Sequence, residues 1–187
     1  MKTYNIIAGT NGVGKSSFTG VIRLRENLGV RIDVDKIAAT SSISDIEAGK
    51  RAIKIIDDSI GNGVCFTQET TLSGKKTSRT VRDAKAKGYS IRLFYIGLDT
   101  AEESIKRIAN RVSKGGHNIK SDDVLRRFGK RFVVLKEILP FCDEALFFDN
   151  DNGFIEVAEY KSGELLIKTE KMPKWLVELK EYLKNEK

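Results

Sequence analysis

Short apolar runs alternate along the chain with longer stretches whose apolar positions recur every three or four residues, the pattern of a parallel α/β sheet. Tyr4 to Ala8 predicts a buried first strand. Phe18, Val21, Ile22 and Leu28 lie near helical spacing, so a helix is expected from Lys15 to Leu28, stopped by Gly29. Val30 to Val34 predicts a second strand. Ser44 and Glu47 make a capping-box pattern ahead of Ile53, Ile56 and Ile60, which predicts a helix to about Gly61. Further strands are expected at Val64 to Gln68 and Tyr89 to Ile96, with a polar helix from Lys75 to Lys87, closed by Gly88, between them. Thr100 with Glu103 repeats the capping pattern and opens a helix to about Ser113. Ser121 is expected to cap a longer helix carrying Val124, Phe128, Phe132, Leu135 and Leu139 on one face, and Ala145 to Phe148 is a fifth strand.

The end of the chain changes character. Phe154 to Tyr160, a Lys161-Ser162-Gly163 turn and Leu165 to Thr169 predict a β-hairpin, and Pro173 suits the first turn of a last helix to about Asn185. The expected fold is a P-loop-type α/β domain over residues 1–187: a five-stranded parallel sheet, helices on both faces, and a C-terminal hairpin and helix over about 153–187. Ligands of such sheets bind at the carboxyl ends of the strands.

Those ends hold the chemistry. Gly9-Thr10-Asn11-Gly12-Val13-Gly14-Lys15-Ser16 matches G-x-x-x-x-G-K-[ST]. The glycines let backbone N–H groups converge on phosphate oxygens at the positive end of the next helix. Lys15 would reach the β- and γ-phosphates, Ser16 would offer its hydroxyl to Mg²⁺, and Ser17 completes the binding segment. By residue frequencies the bare pattern arises by chance in on the order of one chain in a hundred of this length. Its place between the first strand and the first helix makes chance a poor account.

Other P-loop classes lack their marks. No N-K-x-D motif reads guanine; Leu72-Ser73-Gly74-Lys75-Lys76 breaks off from L-S-G-G-Q; and Ala145 to Asp149, an apolar run ending in acid, occurs at any strand end. A small-molecule kinase needs cations around the migrating phosphoryl group, an acid at the acceptor and a lid against water. Arg107 and Arg111 stand one helical turn apart, a Ser113-Lys114-Gly115-Gly116-His117 loop comes next, and Arg126 and Arg127 lie on the helix after it, so residues 107–130 read as a lid or as a solvated basic loop. Asp33, Asp35 and Glu69 fall at strand ends, where one could take the acceptor proton and another orient the acceptor or the metal's water; helix capping is the plainer role for Asp35.

Bulk composition changes little. The net charge of +7 favours an anionic partner, although lysine-rich helices account for much of it. No apolar run nears the ~20 residues that span a bilayer, no signal-peptide pattern is visible, and Cys65 and Cys142 suit two reduced thiols, so a cytoplasmic protein without a membrane role is expected. The absence of an RNP-like motif or of basic–aromatic interleaving argues against nucleic acid. A nucleic-acid-associated P-loop NTPase or polynucleotide kinase, and a non-catalytic nucleotide-gated module, are the alternatives to a kinase.

Five stretches together resemble the zeta-toxin family of P-loop kinases, members of which phosphorylate UDP-N-acetylglucosamine: the phosphate loop, Asp33-Val34-Asp35-Lys36-Ile37-Ala38, Glu69-Thr70-Thr71-Leu72-Ser73-Gly74, Arg111 to His117, and Arg126-Arg127-Phe128. They fall in the family's order between residues 6 and about 150. The resemblance implies an ATP- and Mg²⁺-dependent phosphotransferase acting on a small hydroxyl compound. It makes Asp35 the base, Lys15 and Ser16 the phosphate and Mg²⁺ residues, and Glu69, with Thr70 and Asp33 beside it, the acceptor's holders. It places Arg111 and one of Arg126 or Arg127 on the migrating phosphate, and Asp149-Asn150 where such kinases run past the adenine. The family's toxins are longer and carry segments that bind the nucleotide sugar and a protein antitoxin; no such partner is evident here. His117 is expected to shape the lid loop rather than to act as base.

Overall fold

The computed structural model describes residues 1–116 and 118–185, so the expectation for His117 lies outside the described residues. One sheet of seven strands organises it, in the order β2-β3-β1-β4-β5-β6-β7. The first five are β1 (Thr3–Ala8), β2 (Val30–Ile32), β3 (Phe66–Thr70), β4 (Ser90–Gly97) and β5 (Glu144–Asp149), all parallel to one another. The hairpin strands β6 (Ile155–Lys161) and β7 (Glu164–Ile167) continue the same sheet antiparallel to β5 rather than standing apart from it.

Alternation along β1 divides the core. Tyr4, Ile6 and Ala8 join one cluster with Ile56, Val81, Leu135 and Trp175; Ile7 joins another with Val13, Phe18, Phe94 and Ile96. The first cluster is roofed by α3 (Asp45–Asn62), α4 (Lys76–Ala86), α7 (Val133–Ile138) and α8 (Lys174–Lys184), and the second by α1 (Lys15–Ile22). The remaining helices are α2 (Val34–Ser41), α5 (Ala101–Ser113) and α6 (Ser121–Gly129). Among the described residues no helix is long and apolar enough to cross a membrane.

Several boundaries differ from the sequence expectation, each for a local reason. α1 ends at Ile22, six residues early, because the next turn has no apolar face to bury: Leu24 is 81% exposed, and Glu26 instead pairs with Arg92 at 2.8 Å. β2 stops at Ile32 because Asp33 caps an unforeseen helix, α2, accepting from the N–H groups of Asp35 and Lys36. The plain capping role therefore falls to Asp33, not Asp35. The long helix expected from Ser121 breaks after Gly129, a residue that weakens helices, and a 3₁₀ turn at Leu139–Phe141 accommodates Pro140. Lys120 rather than Ser121 occupies the N-cap position of α6, and Pro173 sits just before α8 rather than within its first turn. The Ser44–Glu47 capping box forms in full.

α8 closes the C-terminal side. Trp175 is buried against Gly97, where an added Cβ would come within 2.2 Å of the indole carbons. Its backbone N–H donates to Asp99 at 3.0 Å and its indole N–H to Asp149 at 2.8 Å.

Candidate active site

The phosphate loop leaves β1 and enters α1 without a side-chain cap, so the first-turn N–H groups remain available to an anion. Gly9 is required on two counts: its φ is +149°, and a Cβ would stand 2.4 Å from the carbonyl oxygen of Ile96. Behind the loop, the Asn150 side-chain amide donates to the Val13 carbonyl at 2.8 Å. Asn150 braces the loop, Asp149 accepts from Trp175 and from the Asp151 N–H, and neither lines the cavity in front.

That cavity measures about 790 Å³, within the range of small-molecule sites. Its floor is the loop, with Asn11, Gly12, Gly14, Lys15, Ser16 and Ser17. Asp33 and Asp35 border it from the start of α2, Glu69 and Thr70 from the end of β3, and Arg107, Arg111, Lys114, Gly115, Gly116 and Arg127 from α5, the turn after it and α6. The Lys15 ammonium donates to the Gly9 and Thr10 carbonyls, both at 3.0 Å. The Ser16 and Thr19 hydroxyls donate to the two oxygens of Glu69, at 2.8 and 2.7 Å. Arg127 donates to the Asn11 side chain at 3.1 Å.

Two titrations are displaced. Burial pushes Lys15 down to about 8, against the pull of Glu69, Asp35 and Asp33 and with help from Arg111. Burial, then the Glu69 charge, raises Asp33, while the Lys36 N–H and side chain and the Asp35 charge act as smaller influences. Because Lys15 is lowered from 10.5, its charged form costs stability below about pH 8, and that cost fades as pH rises from about 8 to 10.5. A triphosphate favours the ammonium form, so the site gains affinity as pH falls through that window. Calorimetric titrations of ATP in buffers of different ionisation heat are expected to show little proton uptake by this lysine at pH 7, about one proton near pH 9, and weaker binding at the higher pH. Uptake that does not grow with pH would contradict this assignment.

A family model for the zeta toxins matches residues 2–146. The chain belongs to the zeta toxin family. An uncharacterized protein of Haemophilus influenzae is 35% identical over 125 residues, 64% of this chain and 88% of that protein. Among solved structures, a chain of the PezAT chromosomal toxin–antitoxin system of Streptococcus pneumoniae superposes with a TM-score of 0.62 at 18% identity, covering 99% of this chain and 86% of the other. A candidate kinase of Chloroflexus aurantiacus gives 0.51 at 12% identity over 61% of this chain and 69% of its own. The fold is thus that of P-loop kinases.

In this zeta-toxin-family chain the structure separates the arginine doublet. Arg127 turns to the loop, whereas Arg126 lies outside the cavity, paired with Asp123 at 2.7 Å. Arg126, one of the residues expected on the migrating phosphate, faces away because a helical step of one residue rotates the side chain by about 100°. Thr10 and Val13 are buried within the loop and present backbone rather than side chains. The Thr70 hydroxyl accepts from the Leu72 N–H at 3.1 Å, holding the turn after β3.

The sequence reading does not reach Thr19 or the bracing role of Asn150. Thr19 carries a weak signal: a polar residue one turn after Lys15, on a face otherwise aimed at the sheet. Arg107 bonds Glu103 at 2.8 Å and still borders the cavity, as its spacing from Arg111 implied. Among the described residues no group of three or more histidine, cysteine, aspartate or glutamate side chains forms a metal cage. The oxygen donors Ser16, Asp33, Asp35 and Glu69 around one cavity do fit Mg²⁺, a hard cation commonly held by one or two protein oxygens, phosphates and water.

Proposed function

We propose that this protein transfers the γ-phosphate of ATP, as its magnesium complex, to a hydroxyl of a small acceptor, with UDP-N-acetylglucosamine the leading acceptor by family. The observation that carries the reading is the meeting in one cavity of the phosphate loop, the acids Asp33, Asp35 and Glu69, and the cations Lys15, Arg111 and Arg127. A binding module would need the loop alone; arginines and acids on opposite walls supply what phosphoryl transfer demands.

Each side chain then has a task. The loop N–H groups and Lys15 hold the β- and γ-phosphates. Ser16 would ligate Mg²⁺, which would supply positive charge against that of the phosphates. The hydrogen bond from Ser16 to Glu69 consumes the hydroxyl proton and leaves the oxygen lone pairs for the metal, so Glu69 orients a ligand as well as bordering the acceptor space. Asp35 receives the acceptor proton. Arg111 and Arg127 follow the phosphoryl group in flight, and closure of residues 107–130 over the cavity excludes water. The protein acts in the cytoplasm, where ATP is abundant, and an antitoxin-like protein partner is in keeping with the family.

The test is transfer from γ-labelled ATP to UDP-N-acetylglucosamine and to a panel of hydroxylated metabolites, with and without EDTA. Labelled nucleotide sugar that disappears with EDTA is the expected result. Label on another metabolite would replace the acceptor, and no transfer to any of them, with only slow hydrolysis, would count against the kinase reading.

A further inference from the structure

The Asn150 amide meets the Val13 carbonyl at 2.8 Å on the side of the loop away from the cavity, which Gly14, Lys15 and Ser16 line and Asn150 does not. The Val13–Gly14 peptide is trans. In a planar trans peptide the C=O and the following N–H point in opposite directions. Holding the Val13 oxygen backward therefore aims the Gly14 N–H forward, where an anion would sit. That peptide needs a lock. Gly14 has a φ of +95°, and half a turn of the peptide would bring it to a negative φ, which glycine adopts as readily. The turned peptide would present a phosphate with an oxygen in place of an N–H. Nor can a side chain at position 14 oppose the turn, because a Cβ there would stand 2.7 Å from the Asn150 amide nitrogen. Asn150 is itself held from both sides: Asp149 accepts from the Trp175 indole N–H at 2.8 Å and from the Asp151 N–H at 3.2 Å, and the Asp151 carbonyl accepts from Arg107 at 3.4 Å.

We infer that Asn150 is a positioning residue for phosphoryl transfer: it locks the Val13–Gly14 peptide with its N–H toward the phosphates of the nucleotide and does not touch them itself. The inference rests on the reading of the cavity as the nucleotide site and adds to it a residue more than a hundred positions beyond the phosphate loop. A nest of N–H groups binds an anion through their common direction, so one reversed peptide costs it a donor and sets a carbonyl dipole against the charge. The lock is neutral and lies outside the cavity, so it leaves the front of the loop open to the nucleotide and its metal.

The experiment measures the affinity of the wild type, Asn150→Ala and Asn150→Leu for two ligands: ATP with Mg²⁺, and tripolyphosphate with Mg²⁺, which carries the phosphates without base or ribose. Both variants are expected to bind both ligands about three- to tenfold more weakly, the worth of one neutral hydrogen bond. Thermal unfolding without ligand reports that each variant is folded. Leucine keeps the branched shape of asparagine, so a role in packing alone would leave Asn150→Leu near the wild type, and that result overturns the inference. A fall in ATP affinity with tripolyphosphate binding unchanged would assign Asn150 to the base or ribose and overturns it too, as does a wild type that binds ATP and no tripolyphosphate. In transfer assays KM for ATP is expected to rise and KM for the acceptor to stay the same. If the wild type binds neither ligand, the nucleotide-site reading fails and the inference with it. If all three proteins bind both ligands equally, that reading stands and only the role of Asn150 falls.

Discussion

Replacing Asp35 with asparagine is expected to slow phosphoryl transfer by about 10²–10⁴-fold while the protein still folds and binds ATP. The two aspartates at the start of α2 divide their work. Asp33 spends an oxygen on the N–H groups of Asp35 and Lys36, so it fixes the helix start. Asp35 takes no hydrogen bond from the described residues, is exposed, and borders the cavity, which is why the proposed mechanism gives it the acceptor proton. Asparagine keeps the size and the helix position and removes only the basicity. Asp33→Asn gives the contrast: asparagine also caps helices, so its effect on stability should be small, and any loss of transfer should be smaller than for Asp35→Asn. Lys15→Ala, by comparison, should lose ATP affinity as well as rate. Steady-state kinetics beside a direct measurement of ATP binding separate the three. Near-normal transfer by the Asp35 variant would remove it from the mechanism.

Trp175→Ala is expected to destabilise the protein by about 3–5 kcal/mol, the range for truncating a large buried aromatic side chain. The indole is fully enclosed, packs beside Tyr95 with ring centroids 5.8 Å apart, and lies flush on Gly97. Its loss leaves a cavity in the larger core cluster and deprives Asp149 of a donor. Trp175→Phe keeps much of the volume, so a smaller loss should separate packing from the hydrogen bond. Equilibrium urea unfolding checks both; a loss under about 1 kcal/mol for the alanine variant would mean that α8 is docked by other contacts.

How much the sequence disclosed depends on how local each signal is. The phosphate loop, the five parallel strands and the Ser44–Glu47 cap depend on neighbours within a few positions, and the order of apolar runs sufficed to expect them. α2 was hidden because Val34 to Ser41 is short and has no fully buried residue, so its pattern is faint. The break after Gly129 was masked by an apolar stripe that continues in phase across it. At the site, the strand-end acids and the lid arginines were legible as a set. The choice between Arg126 and Arg127 was not, since it depends on which way α6 is turned toward Asn11, a partner 116 positions away. Glu69 holding both Ser16 and Thr19 likewise joins segments about fifty residues apart, and only the β1–β3 pairing brings them together.

The family match ends at residue 146, yet the sheet does not. That limit falls inside β5, and the strands beyond it add two more rungs to the same ladder. A direct mechanical line runs from α8 to the phosphate loop: Trp175 holds Asp149, its neighbour Asn150 holds the Val13 carbonyl, and Val13 sits in the middle of the loop. The limit of the family match is therefore not a seam in the folded protein. Replacing the chain beyond residue 146 would remove the buttress behind the phosphate loop, so that end bears on the cavity although none of its residues lines it.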